Sequence, residues 1–157
     1  MIAAPSPVYP WPIGAGSRYH PSASGTPATS LRCGPAGRAF QVHLELFAHR
    51  QVVIVPAGIG AGRGGCAYPL RTHTPTGVVD VARRGRFTLG NLFAVWGRRL
   101  DPAGFLSFRG RVSAFVGGKL HPGDPRAVVL TPHAEIVLEL GGHLAPHTDY
   151  LFPKGGR

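Results

Sequence analysis

Residues 87–100, FTLGNLFAVWGRRL, decide how the rest of the chain is read. Thr88 is a good helix N-cap, because its hydroxyl accepts from a free N–H of the first turn. Leu89, Leu92, Phe93 and Trp96 recur at i, i+3, i+4 and i+7, which gives one apolar stripe. Gly97 suits the left-handed residue that ends a helix. Arg98 and Arg99 sit where the negative end of the helix dipole favours cations. The spacing predicts one amphipathic helix, which needs an apolar surface to cover.

The flanking segments supply that surface. Upstream, FQVHLELFAHRQVVIVP (40–56) reads as two strands around a turn near His49-Arg50. Val42, Leu44 and Leu46 share one face of the first strand, and Val53 and Val55 one face of the second. Pro56 ends the ladder because it has no N–H to donate. Residues 57–86 form a long glycine-rich connection, in which GVVDVA offers a short strand; a connection of that length is functional or has structure of its own. Downstream, GRVSAFVGGKLHPGD repeats the hairpin pattern with a turn at Gly117-Gly118. A turn at Asp124-Pro125 and the segment TPHA lead to a last strand from Glu135 to Leu140. The closing GGHLAPHTDYLFPKGGR reads as loop, with His121, His143 and His147 as solvated loop residues.

Hairpin, helix, strand, connection, strand is the order of an α+β fold of β-grasp-like type, a mixed sheet packed by one helix through a right-handed crossover. Here it carries an inserted Cys/His loop. FTLGNLFAVWG resembles the helix after the first hairpin of small sulfur-carrier proteins, and VSAFVGGKL with LTPHAEIVLEL resembles their later strands. Those carriers end in a free Gly-Gly carboxylate; here Arg157 follows Gly155 and Gly156, about fifteen residues after the last strand.

The length of 157 residues fits one domain. Residues 1–30, rich in Pro, Gly, Ser and Ala, read as a flexible tail in which Tyr9, Trp11, Tyr19 and His20 have no evident place. Residues 31–157 read as the single domain. No apolar run reaches the roughly 18–20 residues of a membrane span. The N-terminus lacks the basic start and unbroken apolar stretch of a secretory signal. The expected location is therefore the cytoplasm as the sequence stands, or outside it if a leader is missing. The net charge of +10 comes mainly from arginine, since only Lys119 and Lys154 are lysine. The arginines are scattered, and the densest run, ARRGRF (82–87), is short. A solvated basic surface explains this better than nucleic-acid binding, although the sign suits an acidic partner.

GCAYPLRTHTPTGVVDVA (65–82) gathers a Cys, a His, a Pro/Gly turn and an acidic residue. Cys33 and Cys66 are either a disulfide or, in a reducing compartment, free thiols or metal ligands. A Cys66–His73 nucleophile pair would have only Asp80 to orient it, and catalysis is not expected.

Nearly all of residues 31–153 resembles an uncharacterised bacterial family, many of whose members look exported or membrane-anchored. The fragments LRCG, FQVHLEL, VPAGIG, GCAYPLRTHTPTG, VVDVA, FTLGNLFAVWG, AFVGGK, GDPR, LTPHAEI and YLFPKG carry the resemblance. In that family pattern, alternating histidines fall at the positions of Ala39, Gln41 and His43. An LHTHD loop stands at LRTHT, and an IHVE strand at VVDVA. Only His43 and His73 survive, with Arg71, Thr74 and Asp80 replacing the other His and Asp residues. Alternating histidines on one strand share a face, so the resemblance implies an imidazole cluster suited to Cu, Zn or Ni. The expected remnant site is His43, His73, Cys33, Cys66 and Asp80. The expected function is a non-enzymatic small binding domain with residual transition-metal affinity; the alternative is a structural or protein-interaction module without ligand.

Overall fold

The computed structural model describes residues 18–35, 37–62, 66–83 and 85–152. Tyr9, Trp11 and the pair Gly155 and Gly156 lie outside them. The strands are β1 (Arg18–Tyr19), β2 (Phe40–Ala48), β3 (Gln51–Val53), β4 (Leu70–Arg71) and β5 (Val78–Val81). Helix α1 (Leu89–Trp96) follows, then β6 (Leu100–Asp101), β7 (Gly104–Phe105), β8 (Phe108–Arg109), β9 (Val112–Val116), β10 (Lys119–Leu120), a 3-10 turn (Pro125–Ala127) and β11 (Glu135–Leu140). Among the described residues the fold is α+β, mostly sheet with one α-helix.

The main sheet runs β1-β3-β2-β11-β9-β10, with β5 pairing β2 and β4 extending from β5. Its centre is a parallel pair in which Glu135 lies opposite His43, Val137 opposite Glu45 and Glu139 opposite Phe47. The hairpin β2–β3 turns at His49 and Arg50, both with positive φ, 52° and 64°. Two left-handed residues give a turn whose twist matches the strands.

Strand side chains alternate, so each face of β2 has its own environment. Val42, Leu44, Leu46 and Ala48 face a core shared with Leu89, Leu92, Phe93 and Trp96 of α1 and with Ile136 and Leu138 of β11. The helix begins and ends where predicted. Thr88 and Asn91 form a reciprocal capping box, and Gly97 is left-handed at φ 76° and donates to Ala94 O and Phe93 O. Its neighbours Arg98 and Arg99 are occupied elsewhere, Arg98 with Ser24 O and Arg99 with Asp101.

Two regions differ from expectation. Residues 18–30, read as part of a flexible tail, lie against the domain: β1 pairs in parallel with β3, Trp96 Nε1 donates to Ser22 O at 3.0 Å, and Ala28 N donates to Ala94 O at 2.8 Å. Residues 18–30 contribute backbone groups to these contacts, so the side-chain periodicity of that segment gives no sign of them. Residues 100–109 form a second, three-stranded sheet, β6-β7-β8. Each of its strands is two residues long, too short for alternation to register.

The glycine-rich connection has structure of its own. Ile59 and Leu70 are buried in the core, and Thr72 ties the loop down by donating to Pro56 O at 2.6 Å and accepting from Ile59 N at 3.0 Å.

Candidate functional site

The second face of the sheet is the unusual one. Gln41, His43 and Glu45 on β2, Asp80 on β5, and Glu135 and Glu139 on β11 are all buried. Buried polar groups need partners, and these largely find them in one another and in residues 141–152, which run back across this face. The tail read as loop is thus a cover. His147, expected in solvent, is 8% exposed, and Tyr150 is 6% exposed.

At the centre, His43 Nδ1 lies 2.5 Å from Glu135 Oε1 and 3.6 Å from Glu45 Oε2. His43 Nε2 lies 2.8 Å from Thr76 O. A carbonyl oxygen only accepts, so Nε2 carries the proton, and in the neutral ring Nδ1 presents its lone pair to the carboxyl groups. The turn TPTG makes this possible. Gly77 has φ 85°, and a Cβ there would collide with Leu44 O and lie 3.0 Å from His43 Nε2. Tyr150 stacks on the imidazole, with ring centroids 3.6 Å apart and planes 7° from parallel.

Burial pushes the His43 imidazole down to about 4, more than the charge of Glu45 and the bond to Thr76 raise it. Burial, then the hydrogen bond to Glu45 and the charges of Glu45 and Asp149, push the Glu135 carboxyl up to about 12. A neutral imidazole and a protonated Glu135 fit the short bond, with the acid proton donated from Glu135 to His43 Nδ1. Glu135 Oε2 receives no hydrogen bond from a donor among the described residues. His147 Nδ1 is 2.8 Å from both oxygens of Glu45 and 4.0 Å from Glu135 Oε2.

His43, Glu45 and Glu135 each offer a ligand atom within 4.8 Å of the others, and among the described residues they are the one such group of His, Cys, Asp and Glu. The ligand set expected from sequence is not brought together. Cys33 and Cys66 form a disulfide, with Cα atoms 5.3 Å apart, so neither offers a thiolate to a metal or a substrate. This is the disulfide alternative; the Cys66–His73 nucleophile is excluded with it. His73 and Asp80 form a separate pair along the same face: His73 Nε2 lies 2.9 Å from Asp80 Oδ2, close enough for an ion pair but not aligned as a hydrogen bond. Asp80 Oδ1 accepts from Gln41 Nε2 at 2.8 Å. Of the expected residues only His43 is in the cluster.

His143 Nδ1 contacts Glu139 at 2.7 Å, and His133, left-handed at φ 60°, meets the edge of Phe152. His49 sits exposed at the hairpin tip, as expected. Glu45, Glu135 and His147 were missed. In FQVHLEL and AEIVLEL the acidic residues alternate with apolar ones, which ordinarily marks a solvated strand face. A signal was present, since both central strands carry His or Glu on one face and the tail ends in the aromatics of YLF.

A cavity of about 10 Å3 lined by Glu45, Phe47, Pro75 and Thr76 has room for one water-sized group. Hollows of about 250, 340 and 410 Å3 are lined by other residues, the largest by Pro35, Gly37, Arg38, Ala82 and Arg83. Compared with family models, with curated proteins and with solved structures, the chain finds no significant match. Among the described residues, no helix is long and apolar enough to cross a membrane.

Proposed function

We propose that the chain is a non-enzymatic small binding domain that holds one divalent transition-metal ion between His43, Glu45 and Glu135. The observation that carries this reading is the sealed cluster itself: an imidazole and two carboxyl groups buried together, with Nδ1 aimed at the acids. Two ionised carboxylates in a low-dielectric interior need compensating charge. A divalent ion supplies both positive charges; a single proton supplies one. The bond from His43 Nε2 to Thr76 O is the kind of outer contact that fixes the tautomer of a metal-bound histidine. Imidazole and carboxylate donors without sulfur suit Zn, Ni or Cu(II). Entry of the ion releases the Glu135 proton, and no redox step is needed.

Three further observations support the reading. The order β3-β2-β11-β9, with a central parallel pair and the helix following β5, is consistent with the β-grasp-like reading. The fragments carrying the family resemblance, VHLEL, TPHAEI and YLFP, meet at His43, Glu135 and Tyr150. The Cys33–Cys66 disulfide suits an oxidising compartment, so the domain acts outside the reducing cytosol.

The test is metal analysis of untagged protein after equilibrium dialysis against Zn(II). One equivalent, lost in Glu135→Gln and retained in His73→Ala, is expected. The second reading, a structural or interaction module without ligand, is favoured by the 2.5 Å bond between His43 and Glu135, which pairs Nδ1 with Oε1 through a proton alone. Protein that stays metal-free at millimolar Zn(II) would establish it in place of the first.

A further inference from the structure

The cluster has two sides: His43, Glu45 and Glu135 belong to neighbouring central strands, whereas His147 arrives from residues 141–152. We propose, building on the metal reading above, that residues 141–152 are a ligand-bearing strap. His147 supplies the fourth donor, and the bound ion locks the strap onto the sheet.

Distances support the fourth donor. An ion with ligand bonds of about 2.0–2.1 Å in tetrahedral geometry has ligand atoms roughly 3.3 Å apart. His43 Nδ1 and Glu45 Oε2 are 3.6 Å apart, His147 Nδ1 and Glu45 2.8 Å, and His147 Nδ1 and Glu135 Oε2 4.0 Å. With His43 Nδ1 and Glu135 Oε1 only 2.5 Å apart, these separations lie on both sides of the required edge, so coordination by all four residues calls for side-chain shifts.

The strap's construction supports the locking. Residues 141–152 contain no helix or strand. The contacts seen are made largely by side chains: Leu144 in the apolar cluster of Phe47, Val52, Ile54 and Val137, His147 on Glu45, and Tyr150 on His43. Tyr150 and Phe152 meet edge to face at 5.0 Å. Such a segment opens at lower free energy than the strands beneath it. His147 and Tyr150 cover His43 and Glu45, so an ion enters only when the strap lifts, and once bound it is held from both sides.

Hydrogen exchange of the full chain, with Zn(II) as the probe, tests this. If opening the strap breaks the bond to the ion, Zn(II) at 100 times its Kd slows exchange in residues 141–152 by about 100-fold. Exchange in β2 and β11 is expected to change less. His147→Ala is expected to weaken Zn(II) binding by about tenfold or more and to abolish the strap-specific slowing. Stoichiometric Zn(II) binding to the wild-type chain with unchanged strap exchange would overturn the strap and leave the three-residue site standing. Failure of the wild-type chain to bind Zn(II) would remove the site itself. The wild-type comparison decides the matter even if His147→Ala does not fold.

Discussion

The two faces of β2 are built from alternate residues of one nine-residue strand, yet they follow opposite rules. Val42, Leu44 and Leu46 meet the helix in a dry apolar core. Gln41, His43 and Glu45 meet an irregular strap and bury groups that water would solvate better. The first face supplies stability and needs only apolar volume. The second reduces stability unless every group finds a partner, so its composition calls for a functional reason. On the proposed reading, stability and binding are separated by the pleat of a single strand.

The largest break in this contrast comes from the helix side. Phe93→Ala, at a site 1% exposed, is expected to cost about 3–5 kcal/mol in chemical denaturation, because it removes apolar surface and leaves a cavity. A break on neither face sharpens it. Replacing Cys33 and Cys66 together by Ser opens a loop of sequence separation 33 and is expected to cost about 3–4 kcal/mol. Zn(II) stoichiometry should be unchanged, since sulfur has no place in the site; its loss would return the cysteines to the ligand set.

Breaks on the polar face are smaller and of mixed sign. Glu45→Ala removes the acceptor at His147 Nδ1 and is expected to cost about 1–3 kcal/mol in metal-free protein, read as a fall in Tm. The pH dependence in chelator is more diagnostic. His43, pushed down to about 4, contributes stability that is present above 6.5 and lost as pH falls towards 4. Glu135, pushed up to about 12, contributes stability that is present below 4.5 and lost as pH rises. The two slopes oppose each other between pH 4.5 and 6.5. Above 6.5 only that of Glu135 remains, so metal-free protein should lose stability with rising pH, by at most about 1.4 kcal/mol per unit. Glu135→Gln should flatten that fall while abolishing metal binding. A wild-type curve that rises from pH 7 to 9 would contradict the buried acid.

Much of the apolar side was legible in the sequence. The stripe Leu89, Leu92, Phe93 and Trp96, the cap at Thr88 and the alternation of Val42, Leu44 and Leu46 are local patterns, and packing follows them. The polar face was legible only at His43. Glu45 and Glu135 are 90 residues apart and look like ordinary outward-facing strand residues until β2 and β11 pair in parallel. His147 sits in a segment without periodicity, where only the folded chain shows what it covers. His73 and Asp80, expected in the site, pair with each other beside the cluster. Cys33 and Cys66 satisfy each other.

X-ray absorption at the zinc edge of the Zn(II)-loaded full chain tests the central claim most directly. A first shell of nitrogen and oxygen at about 2.0–2.1 Å, with multiple scattering from imidazole and no sulfur, is the predicted result. A sulfur shell near 2.3 Å, or an imidazole signal that survives in the combined His43→Ala and His147→Ala variant, would contradict it.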